Sequence, residues 1–268
     1  GLYQILDLSK IPPSAAVNES VALAKKYCPR QKYAPGLVNG VLRNAIRQKE
    51  QLLPPETLED KYSHPSDLIA LLRAYVGEQR LEPMLKANND IPPTVVQVNT
   101  LRTDAERLMG LLEAEGVLAE KHSWLPDCLV LGNTGSIEKL DAFRNGLFYV
   151  QDIASQTAVS VLNPTSGSRV LDLCAAPGGK SFGMALIMQN KGEIISCDLY
   201  EQRAGLIEKS AKRLGTTIVK PKVCDATVYD SGLGKFDYIL CDVPCSGLGV
   251  IRRKPDIKYK DFAEFDSL

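Results

Sequence analysis

Asp172-Leu173-Cys174-Ala175-Ala176-Pro177-Gly178-Gly179-Lys180 follows the short run Arg169 to Leu171 and leads into Ser181-Phe182-Gly183-Met184-Ala185-Leu186-Ile187-Met188. The order reads as strand, glycine turn, helix, which is where an α/β protein holds a nucleotide-like ligand. Two adjacent glycines let backbone approach a ligand with no Cβ in the way, and a helix start offers unpaired N–H groups. A triphosphate loop of the form Gly-x-x-x-x-Gly-Lys-[Ser/Thr] needs a glycine five residues before Gly179, and Cys174 stands there. A glycine turn by itself also suits plain helix–strand packing, so the surrounding text decides.

Outward from this turn, strands are expected at residues 169–173, 193–197, 217–223 and 236–241, alternating with helices near 153–162, 180–190 and 201–214. Such alternation implies a parallel doubly wound sheet, whose ligands lie beyond the carboxyl ends of the strands. Aspartates occupy those ends at Asp172, Asp198, Asp225 and Asp242. One strand-end aspartate is usually a cap; four at successive ends point to a ligand. Asp198 is placed to accept from two ribose hydroxyls and Asp225 to take an adenine amino group, which makes S-adenosylmethionine the expected cofactor. Arg203, one turn into the next helix, reads equally as a further contact or as an exposed helix residue.

A second chemical stretch is Asp242-Val243-Pro244-Cys245-Ser246-Gly247-Leu248-Gly249-Val250-Ile251-Arg252-Arg253-Lys254-Pro255-Asp256. Methyl transfer to an exocyclic amine calls for Asp/Asn-Pro-Pro-Tyr/Phe here, and this chain has Pro244-Cys245 instead. Carbon 5 of cytosine is a poor nucleophile until a thiolate adds to carbon 6, so a cysteine at the ligand face has a chemical reason. On chemistry alone Cys245 is that thiolate. Arg252, Arg253 and Lys254 are expected at RNA phosphates, a sequence-independent contribution, with a solvated basic loop as the alternative.

Upstream, residues 94–150 change period. Strands are expected at 95–99, 128–131 and 147–150, with helices at 104–115 and 137–142, which suits a small RRM-like or ferredoxin-like subdomain. It lacks the aromatic pairs by which an RRM stacks bases. Asn99, Arg102 and Thr103 read as a strand-end turn before RNA contacts, and Trp124, the sole tryptophan, as a packing anchor before a base platform. Two short helices are expected within 65–88, preceded by a Pro54-Pro55 linker. The first fifty residues read as helices, one capped by Ser14 and one opening at Pro35-Gly36 with Val38, Val41, Leu42 and Ala45 as its stripe. These do not close a core, and Gly1 begins as though inside a bundle, so a segment is expected before it.

The 268 residues carry 32 Lys/Arg and 32 Asp/Glu. The charge is uneven: +5 over residues 1–50, −6 over 51–150 and +1 over the rest, so the first segment hints at an anionic partner. Seven cysteines at 28, 128, 174, 197, 224, 241 and 245, without a Cys-x-x-Cys pair, argue against zinc or disulfides. No membrane-spanning run and no signal pattern is present, so a cytoplasmic, metal-free and monomeric protein is expected.

With the glycine turn and Asp242-Val243-Pro244-Cys245-Ser246-Gly247 spaced in this way, the chain resembles the RNA (cytosine-5) methyltransferases. Ile11-Pro12-Pro13-Ser14-Ala15-Ala16-Val17-Asn18-Glu19 and Leu37-Val38-Asn39-Gly40-Val41-Leu42-Arg43 resemble the last helices of NusB-like RNA-binding domains. Together these are similar to the bacterial Sun/RsmB-type small-subunit rRNA enzymes. The resemblance implies a partial NusB-like domain at 1–53, linker helices and an RRM-like subdomain at 54–150, and a Rossmann-like S-adenosylmethionine-dependent methyltransferase domain at 151–268. It implies that Cys174, Ala175, Ala176, Pro177, Gly178, Gly179, Lys180, Asp198, Arg203, Asp225 and Asp242 line the cofactor site, and that Asp242 also hydrogen-bonds the cytosine edge. In these enzymes the attacking thiol belongs to a Thr-Cys motif some fifty residues beyond the Pro-Cys. Cys245 would then assist product release, the nucleophile would lie past Leu268, and the chain as it stands would be inactive. The competing expectation is a non-catalytic ribosome assembly factor that keeps the fold and binds ribosomal RNA.

Overall fold

The computed structural model describes residues 1–51 and 56–261, and its tertiary contacts divide the chain into two compact units, Gly1–Glu82 and Pro83–Leu268. The expected Pro54-Pro55 linker and the 53/54 boundary lie outside the described residues.

The first unit is helical: α1 (Leu2–Leu6), α2 (Pro13–Tyr27), α3 (Ala34–Gln48), α4 (Leu58–Tyr62), α5 (Ser66–Val76) and the start of α6 (Glu78–Asn89). Helix α2 begins at Pro13, one residue ahead of the expected cap, and Ser14 makes no capping bond. Proline presets the helical φ and has no N–H to leave unpaired at a first turn. Ile5, Ala16, Val17 and Leu42 form a small core with Val38 and Ile46 against it. The expected stripe of α3 is thus shifted, because Val41 is 48 % exposed.

The second unit holds two sheets. The first is antiparallel, in the order β2-β3-β1-β4, from β1 (Thr94–Val98), β2 (Leu118–Lys121), β3 (Cys128–Gly132) and β4 (Phe148–Val150), with α7 (Ala105–Ala114) and α8 (Asp141–Arg144). This is a ferredoxin-like arrangement. Strand β2 has no counterpart in the sequence reading: Leu118-Ala119-Glu120-Lys121 lies at the sheet edge, largely exposed, and carries no alternation to read.

The second sheet is parallel, in the order β7-β6-β5-β8, from β5 (Arg169–Asp172), β6 (Glu193–Asp198), β7 (Val219–Val223) and β8 (Tyr238–Leu240). Helices α9 (Ile153–Leu162), α10 (Gly179–Ile187) and α11 (Glu201–Leu214) pack on it over Val170, Met184, Ile194, Ile207 and Leu214. The chain steps from β5 outward to β6 and β7, then crosses back so that β8 pairs with the other side of β5. This reversal opens a crevice beyond the carboxyl ends of β5 and β8. Pro221 is tolerated in β7 because that strand is at the edge.

No compact-unit boundary falls at 150/151, and the hydrogen bonds between the two sheets give the reason. Fully buried Asn99, just after β1, donates from Nδ2 to Gly146 O at 2.7 Å and Leu214 O at 2.8 Å. Arg213 of α11 donates to Phe143 O and Phe148 O, and its guanidinium lies 3.9 Å from the Phe143 ring centroid. Gly146 has φ +67°, and a Cβ there would lie 2.1 Å from Arg213 O, so only glycine fits the seam. Asn99→Ala should lower stability by about 2–3 kcal/mol, since it leaves two buried carbonyls short of a donor. A fall in the urea midpoint with an unchanged slope would register this; an unmoved midpoint would show that the seam does not need Asn99.

Candidate active site

The turn after β5 is suspended between its neighbours. Leu173 N donates to Leu240 O at 3.0 Å on the β8 side, and Ala175 N to Cys197 O at 2.8 Å on the β6 side. Gly178 closes the turn with φ +102°, and a Cβ there would meet the Phe182 ring at 2.4 Å. Phe182 is itself buried and edge-on to Tyr149 at 5.7 Å. The turn therefore sits at fixed height over the sheet, with α10 starting at Gly179 as expected.

Four aspartates surround it. Asp172, 1 % exposed, accepts from Ser181 Oγ at 2.7 Å through Oδ2, and Ser181 Oγ accepts from Ser196 Oγ at 2.8 Å. Its Oδ1 is buried with no hydrogen-bond partner among the described residues. Burial pushes the Asp172 carboxyl up to about 6, against the pull of Ser181 and Lys180. Asp198, 4 % exposed, accepts from Ala176 N and Tyr200 N, both at 3.3 Å, and lies 3.5 Å from Arg203 Nη2. Arg203 also donates to Ala176 O, so this arginine is a brace of the turn rather than a free helix-surface residue. Asp225 is exposed; its Oδ1 accepts from the Thr227 hydroxyl at 2.6 Å and the Thr227 N–H at 2.9 Å, which hold the carboxyl below its ordinary range. Asp242 accepts from Lys180 Nζ at 2.5 Å.

These residues line two adjoining cavities. A space of about 740 Å³ is walled by Cys174, Ala176, Asp198, Arg203, Asp225, Asp242 and Cys245 among others. A smaller one, about 260 Å³, is walled by Gln151, Asp172, Gly179, Lys180 and again Cys174, Ala176 and Asp242. Of the cofactor-site residues expected from the sequence, all but Gly178 line one or both cavities, and Cys245 joins them. Burial, aided by Cys241 and the surrounding carboxylates, pushes the Cys174 thiol up. Arg252, Arg253 and Lys254 stand apart. Arg252 donates to Asp90 O and Ile91 O, and Arg253 to Pro93 O and Asp152 Oδ1, so both arginines first strap their loop to the 90–93 segment.

Sequence reasoning listed Asp172 as a strand-end acid without a role and overlooked Gln151, which is 7 % exposed with an unpartnered, buried Nε2. A lone polar residue after Tyr149-Val150 carries no periodic signal; its meaning comes from the Gly179 helix start, where a Cβ would lie 3.2 Å from that Nε2.

The fold and site define a class, the Rossmann-like, S-adenosylmethionine-dependent methyltransferases. Residues 159–266 match the family model described as 16S rRNA methyltransferase RsmB/F, residues 64–138 the ferredoxin-like domain of RsmF/B-like methyltransferases, and residues 1–47 the NusB family. The chain belongs to the RsmB/F methyltransferase family. It is 38 % identical to the probable ribosomal RNA small subunit methyltransferase B of Bacillus subtilis over 96 % of this chain and 59 % of that protein. It is 39 % identical to ribosomal RNA small subunit methyltransferase B of Escherichia coli, over 97 % of this chain and 60 % of that one. The chain thus spans about three fifths of the length of these curated relatives. Among solved structures, that of PH0851 superposes with a TM-score of 0.83 at 28 % identity, covering 99 % of this chain and 61 % of the other. NSun6 from Pyrococcus horikoshii with SFG shares the fold, with a TM-score of 0.68 at 23 % identity and 76 % coverage of both chains.

The raised Asp172 carboxyl has a measurable consequence. Below about pH 4 it is protonated folded and unfolded alike; as pH rises towards about 6 the unfolded chain gives up the proton and the folded chain keeps it, so stability is lost. Above about pH 6 the full cost, about 3 kcal/mol, is present. Asp172→Asn has no such proton, so its stability relative to wild type should improve by about 3 kcal/mol between pH 3.5 and pH 7.5, read from urea midpoints. An equal difference at both pH values would refute the burial of an ionisable Asp172.

Proposed function

We propose that this chain is the donor-binding and base-activating part of an enzyme that methylates carbon 5 of a cytosine in small-subunit ribosomal RNA, in the cytoplasm. Cys245 carries this reading: its thiol lines the same cavity as Asp198, Asp225 and Asp242, so a sulfur and the donor's carboxylate partners face one space.

The residues fit the donor. Its ammonium group matches the unpartnered Asp172 Oδ1, a buried acid that gains its missing counter-charge when that group arrives. Asp198 accepts from the ribose hydroxyls, with Arg203 holding its carboxylate in place, and Asp225 uses its second oxygen for the adenine amino group. When bound, S-adenosylmethionine supplies an electrophilic methyl group on a sulfonium.

Asp242 has one oxygen committed to Lys180, which leaves the other for the cytosine edge. Carrying a proton on that second oxygen, Asp242 donates to N3 of the cytosine and so stabilises the ring as it gains electrons from the thiolate that adds to carbon 6. The attacking cysteine is assigned to the part of the protein outside these 268 residues. Cys245 serves the last stage, in which the carbon 5 proton leaves and the sulfur–carbon 6 bond breaks to restore the aromatic ring. The target base must leave its stack to reach this cavity, which favours a loop or an opened helix of the RNA.

The full-length protein should transfer tritium from labelled S-adenosylmethionine to carbon 5 of cytosine in unmethylated small-subunit rRNA. No transfer would leave the assembly-factor reading in possession. Cys245→Ala in the full-length protein should trap a covalent RNA adduct that survives denaturing electrophoresis, because attack proceeds while release fails. A variant that forms no adduct, in a protein whose later cysteine proves dispensable, would make Cys245 the nucleophile.

A further inference from the structure

A third cavity, of about 570 Å³, lies beside the donor site and takes no part in the chemistry above. Its floor is apolar, from Pro92, Pro93, Val95, Ile153 and Val250, and Trp124 forms a wall. A tryptophan serving as a packing anchor would be buried, yet Trp124 is 59 % exposed. Its neighbour His122 meets it edge-on, centroids 4.9 Å apart and planes at 74°, so it steadies the indole without stacking over it. Arg252 and Arg253 form the opposite lip, with exposed Lys254 next in the chain. Each arginine uses only part of its donor set on the 90–93 backbone and Asp152. The cavity adjoins the donor site through Asp152, which lines both this space and the one containing Lys180 and Asp242.

From this arrangement we infer that the groove binds an unpaired nucleotide of the RNA strand beside the target cytosine. Its base stacks on Trp124 over the apolar floor, and its phosphate meets the Arg252, Arg253 and Lys254 lip. The inference rests on the RNA-methylating function proposed above. A flipped base leaves its neighbour without a stacking partner, and an exposed indole supplies one to any base. An apolar peptide would leave the charges of Arg252 and Lys254 unanswered, Arg253 being paired with Asp152, whereas a phosphodiester answers them.

Trp124 is the only tryptophan of the chain, so its emission reports this site alone. Titration with a single-stranded, cytosine-containing oligoribonucleotide should quench that emission. By fluorescence anisotropy of the labelled oligoribonucleotide, Trp124→Ala should weaken binding by about tenfold or more. Trp124→Phe should keep most of the affinity, and thermal unfolding of both variants reports whether they fold. The slope of affinity against salt should be unchanged in Trp124→Ala, because stacking releases no counterions. If wild type and Trp124→Ala bind RNA alike and the emission stays constant, the inference fails while the methyltransferase reading stands; the same result follows if another segment or partner protein covers the indole. If the wild type binds no RNA, both fail.

Discussion

Two carboxylates stand almost wholly buried at the carboxyl ends of adjacent parallel strands, Asp172 on β5 and Asp198 on β6, and the local architecture follows from how each is satisfied. Asp198 takes two backbone N–H groups, from either side of its own position, and one guanidinium. Those donors come from the glycine turn, the N-cap of α11 and Arg203 within it, so one side chain ties the turn to the start of α11. Asp172 receives a single chain of serine hydroxyls and keeps one oxygen bare. An interior that leaves a carboxylate half-satisfied carries a cost of a few kcal/mol, and folds retain such costs where a ligand removes them. The neighbouring Lys180–Asp242 pair does not meet this need, because Lys180 is committed to the more exposed acid.

The second constraint is the seam between the two sheets. Asn99 and Arg213 cross it with side-chain-to-backbone bonds, which depend on where the backbone runs and little on neighbouring side-chain identity. The ferredoxin-like sheet is thereby held to the methyltransferase sheet from the side of α11. The loop after Cys245 is held in turn by Arg252 and Arg253. Both ties include arginine donors to carbonyl oxygens.

Much of this was legible in the sequence because its signals are local. The alternation of apolar runs and helical stretches placed β5 to β8 and α9 to α11 within a few residues, and the four strand-end acids it singled out line two adjoining cavities. Edge strand β2 was illegible since an exposed edge needs no apolar alternation. The tie across the expected boundary at 150/151 was illegible for a different reason: it depends on Asn99 reaching Leu214, a partner 115 residues away that leaves no mark on composition or period. Gln151 and the bare oxygen of Asp172 are likewise products of packing, and Trp124 was misread because a lone tryptophan is usually buried. The residues gathered at the glycine turn were readable because turn chemistry and strand ends are sequence-local; their electrostatic states were not.

The arginine pair shows why charge in a sequence overstates charge available to a polyanion. Arg252 and Arg253 read as phosphate contacts, and each guanidinium still has N–H groups to give, yet each already holds carbonyl oxygens of the 90–93 segment. Arg253 also faces Asp152, whose carboxylate neutralises part of its field at 2.9 Å. Salt-sensitive attraction at this lip is therefore weaker than three free cations would give, and Lys254 carries more of it than its single charge suggests. The same bonds give the loop a rigidity that a purely electrostatic contact lacks. They fix the segment that follows Cys245 against residues 90–93. Positioning, rather than bulk attraction, is then what these two arginines contribute to the site.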